Sequence, residues 1–179
     1  TSEPSGQRTV LLAAINAAKI AGAGAIIAID PVADKRALAI RLGATHGFAP
    51  DEPDLAKKIA GLTGGGVDYA IEAVGRSETA ELAWTLLKRG GTATILGMIA
   101  PGKMVSLPGP SFLTGKKLQG SLLGSTRFPI DMPRLVQMYL DGKLDLDTMV
   151  AERITLDGVN GALAALRTGD TVRSVIEFA

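Results

Sequence analysis

GAGAIIAIDPVADKRALAIRLGAT, residues 22–45, decides how the rest of the chain is read. AIIAID (25–30) is an apolar run short enough for a buried strand, and it ends in a carboxylate. A turn follows, and ADKRALAIRL (33–42) reads as a helix closed by Gly43. An acidic residue at the carboxyl end of an apolar strand is where a dinucleotide-binding fold holds the adenosine ribose. Asp30 can accept bonds from both ribose hydroxyls and repels a 2′-phosphate, which favours NAD over NADP. The plainer reading, a carboxylate capping the next helix or facing solvent, carries comparable weight for this residue alone. Lys35, about one helical turn on, can approach the same ribose or be an ordinary solvated lysine.

Working outward, the strand and helix pattern repeats. Thr1–Gln7 is polar with Pro and Gly and reads as a disordered start or loop. RTVLLAAINAAKIA (8–21) is an apolar helix with Asn16 and Lys19 as its polar side, ended by Gly22. Past Gly43 come a strand at 46–49 and a helix from Asp54, a candidate cap, to about Leu62. VDYAIEAV (67–74) is a strand, followed by a helix at 79–88 that ends at Arg89-Gly90-Gly91, with Glu78 and Glu81 near its positive end. TATILGM (92–98) is a strand, and a Pro/Gly loop runs to about Pro110. KKLQGSLLG (116–124) is another strand, and Asp131–Leu140 a helix. The tail reads as strand 149–156, helix 158–167 and strand 173–178. This alternation predicts an α/β fold, a Rossmann-like doubly wound parallel sheet flanked by helices. Residues 1–142 form its nucleotide-binding domain, and 143–179 a short β-α-β return segment.

Composition agrees. The 179 residues are 46% hydrophobic but only 4% aromatic, so aliphatic side chains and glycine fill the core, as suits buried parallel strands. A net charge of +1 without basic runs argues against nucleic-acid or membrane-surface partners. There is no cysteine, so neither a disulfide framework nor a thiolate metal site can form. No apolar run reaches the roughly 18 residues of a membrane span, and no leader pattern opens the chain, so a cytoplasmic location is expected.

The phosphate-binding turn is where the pattern breaks. Gly6 should open a G-x-G-x-x-G fingerprint, in which glycines allow the turn, the approach to the pyrophosphate and the packing of helix on strand. The six residues are instead GQRTVL, with Arg8 and Leu11 where the second and third glycines belong. SEPS before them is no buried strand, so the first strand of the sheet is expected to be missing. Gly75, Gly97 and Gly124 sit at predicted carboxyl ends of strands, where open α/β sheets bind ligands; each can also be turn punctuation. His46 is the only histidine and has no companion to share a metal. Trp84 and Tyr139 read as packing residues on helix faces, and Ser106, Ser111, Ser121 and Ser125 lack a nucleophile-elbow context.

AINAAKIAGAGAIIAID, the turn to Lys35, RLGAT, VDYAIEAVG, LLKRGGTATILGM, KKLQGSLLGS and TGDTVRSVIEF, in this order and spacing, resemble the cofactor domain of zinc-type alcohol dehydrogenases, the medium-chain dehydrogenase/reductase superfamily. The resemblance covers about Thr9 to Phe178. It implies that Asp30 and Lys35 hold the ribose and Val74 flanks the adenine. Leu96, Met98, Ser121 and Leu123 would line the nicotinamide through their backbones, Gly124 would lie beside it, and Arg173 would reach the pyrophosphate. Family members also carry a GroES-like catalytic half with Cys/His/Cys zinc ligands, and this chain has no such set. It implies a dimer edge around Ala100–Leu113, or association with a separate catalytic-half chain.

Three functions follow. The first is the NAD-binding portion of such a dehydrogenase, incomplete and inactive alone. The second is a non-catalytic nucleotide-binding or oligomerisation module from the same family. The third is an unrelated Rossmann-like enzyme, such as a methyltransferase holding S-adenosylmethionine; the continued match beyond Gly91 counts against it.

Overall fold

The computed structural model describes residues 6–168 and 173–178. In chain order they form α1 (Gly6–Ile20), β1 (Ile27–Ile29), α2 (Ala33–Leu42), β2 (His46–Phe48), α3 (Leu55–Thr63), β3 (Val67–Glu72), α4 (Ser77–Leu86), β4 (Leu87–Ile95), β5 (Lys117–Gly120), α5 (Phe128–Leu140), β6 (Glu152–Ile154), α6 (Val159–Thr168) and β7 (Ser174–Ile176). Every strand pair is parallel. The α/β class and the helix-flanked parallel sheet read from the sequence are therefore what the chain forms.

The strands fall into three groups: β1 with β2, β3-β4-β5 in order, and β6 with β7. The sequence reading expected one sheet less its first strand, and the division lies where that strand belongs. In the doubly wound order 3-2-1-4-5-6, β2 and β1 take places 3 and 2, and β3-β4-β5 take 4, 5 and 6. Place 1, between β1 and β3, is filled by no strand among the described residues.

Helices cover both faces of the first pair. Leu12 and Ile15 of α1 pack with Ala28 of β1 and with Ala39 and Leu42 of α2. Ile27 and Ile29, on the opposite face of β1 as strand alternation demands, lie against Leu55 and Ile59 of α3 together with Val67 of β3. The second core gathers Ala83 and Trp84 of α4 with Leu87 and Ala93 of β4, and Val67, Ala70 and Leu118 pack onto it. Trp84 is 1% exposed; its ring meets Phe112 at 4.6 Å, and its Nε1–H donates to Ser111 Oγ at 2.9 Å.

Several local expectations are corrected. α1 begins at Gly6, two residues before the predicted Arg8, so Gly6 and Gln7 are helical rather than part of a loop. Asn16 is buried, and its Nδ2–H donates to the Asp145 carbonyl at 2.9 Å, tying α1 to the tail instead of facing water. Asp54 stands at the start of α3, but its left-handed φ of 54° turns its carboxylate to Lys57 at 2.7 Å, and it makes no capping bond. α4 stops at Leu86 rather than Lys88. β4 opens at Leu87, because the Lys88–Gly91 stretch, with Gly90 at φ +74°, is absorbed by a register shift against Val67 and Tyr69. Tyr139 is a surface residue whose hydroxyl donates to Asp147 at 3.0 Å.

Candidate cofactor site

The carboxyl ends of β1, β3, β4 and β5 bring together most of the residues singled out from the sequence. Asp30 follows β1 directly and is 8% exposed. Its Oδ1 accepts the Val32 N–H at 2.8 Å and lies 3.8 Å from Lys35 Nζ. Arg36 Nη1 donates to the Asp30 carbonyl at 2.6 Å. The Pro31–Val32 turn thus binds the buried carboxylate through an N–H, Lys35 lies beside it, and Arg36 holds the main-chain carbonyls of Asp30 and Pro31. That arrangement fixes the carboxylate in place, as an acceptor for a diol must be.

Sequence reasoning missed the partner of this feature, Glu72. It ends β3 as Asp30 ends β1 and is 3% exposed. Its Oε1 accepts the N–H groups of Val74 and Gly75 and the Thr79 hydroxyl, each at 2.7 Å. Its Oε2 is buried with no hydrogen-bond partner among the described residues. The signal was visible: an acidic residue closing a second apolar strand. Glu72 fixes the turn that carries Val74, which is half-buried beside it.

The ends of β3 and β4 are pressed backbone to backbone. A Cβ on Gly97 would lie 2.1 Å from the Gly75 nitrogen, and one on Gly75, where φ is +78°, 2.6 Å from the Met98 carbonyl oxygen. This close packing, rather than turn punctuation, requires both glycines. The Leu96 N–H donates to the Glu72 carbonyl at 2.7 Å and the Ser121 N–H to the Ile95 carbonyl at 3.0 Å, so both lie on this edge. Met98 is 85% exposed, and Leu123 and Gly124 form a left-handed turn (φ 49° and 68°) after β5.

Two sequence-derived positions lie elsewhere. Gly6 is the first residue of α1. Arg173 precedes β7, and its carbonyl accepts the Ala151 N–H at 2.8 Å, which places it in the β6–β7 pair. His46 bonds the Thr45 hydroxyl at 2.9 Å and stacks on Phe48. Among the described residues no three His, Cys, Asp or Glu side chains stand together as metal ligands, and no helix is long and apolar enough to cross a membrane.

The adenosine end of a dinucleotide fits these residues: a fixed carboxylate, an adjacent lysine and the Val74 turn. The pyrophosphate end does not. Residues 6–11 are drawn into α1, so this stretch forms no glycine loop to offer its backbone N–H groups.

Comparison with known proteins gives the chain a family. Residues 10–141 match the family model described as zinc-binding dehydrogenase. The NDMA-dependent alcohol dehydrogenase of Amycolatopsis methanolica is 39% identical over 168 residues, which cover 91% of this chain and 45% of that protein. The structure of an alcohol dehydrogenase zinc-binding domain protein from Burkholderia ambifaria superposes with a TM-score of 0.90 at 28% identity, covering 99% of this chain and 54% of that one. A Sinorhizobium meliloti structure bound to NADP superposes with a TM-score of 0.76 at 32% identity, over 87% of this chain and 45% of that one. The chain therefore spans less than half the length of the dehydrogenase relative it matches.

Proposed function

Because this chain belongs to the zinc-binding dehydrogenase family, we propose that it is the NAD-holding portion of an alcohol dehydrogenase, incomplete and without turnover on its own. The observation that carries this reading is the Asp30 carboxylate, fixed at the end of β1 by the Val32 N–H and faced by Lys35 at 3.8 Å. In it, Asp30 accepts the adenosine ribose hydroxyls and Lys35 approaches the same ribose. Val74 flanks the adenine on the turn that Glu72 holds. Leu96, Met98, Ser121, Leu123 and Gly124 border the nicotinamide at the ends of β4 and β5. Arg173 lies in the β6–β7 return segment and would reach the pyrophosphate only from there. NAD, when bound, supplies the hydride acceptor.

Against a 2′-phosphate, Asp30 presents like charge, so NAD is preferred to NADP although one similar structure binds NADP. Zinc does not fit this chain's residues: the sequence has one histidine and no cysteine. The metal and the substrate pocket belong to a catalytic half. α5 suits such a neighbour, since Phe128, Ile130, Met132, Leu135 and Val136 are exposed along it. Residues 1–142 act as the cofactor domain and 143–179 as the return segment toward that half. The 100–113 loop, with Met104 and Leu113 exposed, is the edge of a homodimer, and the protein works in the cytoplasm.

The reading is tested by amide shifts on addition of NAD. Shifts at Asp30, Val32, Val74 and Gly75 are expected. Shifts confined to other elements, or none at millimolar NAD, would overturn it. A purely oligomerising module, the second reading, predicts no shifts and leaves Asp30 without a task.

A further inference from the structure

Glu72 is pinned at both of its acceptor groups. Its main-chain carbonyl accepts the Leu96 N–H at 2.7 Å and the Gly97 N–H at 3.1 Å, across to the stretch that follows β4. Its side-chain Oε1 accepts the Val74 and Gly75 N–H groups and the Thr79 hydroxyl, across to the turn after β3 and the first turn of α4. The other oxygen, Oε2, lies against Gly97, where an added Cβ would come within 2.7 Å of it. Oε2 is buried with no hydrogen-bond partner among the described residues. A carboxyl group held 3% exposed with one oxygen unused costs stability that an apolar side chain at the end of β3 would not. Such a cost is expected where geometry at a site, rather than stability, is held.

The two stretches that Glu72 joins serve different ends of the dinucleotide in the NAD reading: Val74 flanks the adenine, and Leu96 borders the nicotinamide. We propose that Glu72 is a positioning residue that sets the adenine-side turn and the nicotinamide-side strand end against each other, so that an adenine nucleotide held at the first is registered at the second. The inference rests on the NAD reading and goes beyond it, because it couples the two ends through one side chain. The coupling is by rigidity. A shift of the Val74 turn pulls on Oε1, and the Glu72 main chain passes it to the Leu96 and Gly97 N–H groups. The backbone contact of Gly75 with Gly97 and Met98 leaves no slack to absorb it.

The test adds AMP, which carries adenine, ribose and a phosphate but no nicotinamide, to the 179-residue chain and follows amide shifts. In the wild-type chain AMP should move Asp30, Val32, Val74 and Gly75 and, through Glu72, Leu96 and Gly97. Glu72→Gln keeps the shape and one acceptor oxygen but loses the charge that strengthens the three bonds. In that variant the Asp30 and Val32 shifts should persist, those of Leu96 and Gly97 should be lost, and NAD affinity should fall by about tenfold. A merely structural role would weaken both sets together. If Glu72→Gln does not fold, Thr79→Val removes one of the three donors without touching β3, and the Leu96 and Gly97 response should shrink. An undiminished response in the folded variants, or loss of both sets together in Glu72→Gln, would overturn the proposal. So would wild-type shifts at Asp30 and Val32 with none at Leu96 and Gly97, which leaves the NAD reading standing. No AMP shift at Asp30 and Val32 in the wild-type chain would overturn both.

Discussion

Asp30 and Gly97 show what single residues decide. Asp30→Ala removes the acceptor of the Val32 N–H and the acceptor proposed for the ribose. Loss of one charged hydrogen bond to the diol should weaken NAD binding by about tenfold. NADP binding should be unchanged or tighter, as calorimetry with both nucleotides would read. Gly97→Ala places a methyl 2.1 Å from the Gly75 nitrogen, where no flexible side chain can give way. The turn must move, at a cost of about 3 kcal/mol, to be measured by urea unfolding. Asp30 was legible in the sequence because an acidic end to an apolar strand has a chemical reason. The same reason applied to Glu72, whose three accepted bonds explain it only once the turn at Val74 and Gly75 is seen to fold back on it. The need for Gly75 and Gly97 was not legible, because it comes from two strand ends meeting in space.

At the scale of elements, hydrophobic patterning located the strands and helices, and tertiary contacts moved their ends. α1 starts early, and Asn16 is drawn inward by the Asp145 carbonyl, a contact across 129 positions that no local pattern carries. Asp145 also ties down the short turn at Asp147–Met149 through Thr148. It accepts the Thr148 hydroxyl at 2.6 Å and the Thr148 N–H at 3.0 Å, and these bonds hold its carboxyl below the usual carboxylate range. A lowered value in the folded state means that the stabilisation is present above the ordinary Asp value of about 3.9 and is lost as pH falls through the folded one. A carboxyl NMR titration should therefore give Asp145 a midpoint below that of a free aspartate, and Thr148→Ala should raise it. In the second core, Trp84→Ala empties the space beneath Phe112 and leaves Ser111 without its indole donor, for a loss of about 4 kcal/mol in denaturant unfolding.

For the whole molecule, the α/β class and the parallel order were legible because alternating strands and helices admit few topologies. The separation into groups of two, three and two strands leaves the central place between β1 and β3 without a strand among the described residues. What the described residues offer is the fixed Asp30 carboxylate proposed for the adenosine ribose and a helical Gly6–Leu11 stretch in place of a glycine loop, in a sequence with one histidine and no cysteine to hold zinc. The isolated chain should therefore give no oxidation of a primary alcohol with NAD, with or without added zinc, in an absorbance assay of NADH. The most direct measurement is calorimetric titration of the chain with NAD, NADP and S-adenosylmethionine under one set of conditions. NAD should bind weaker than micromolar, NADP more weakly still, and S-adenosylmethionine not at all. Micromolar NAD affinity, NADP binding equal to or tighter than NAD, or clear binding of S-adenosylmethionine would contradict this account.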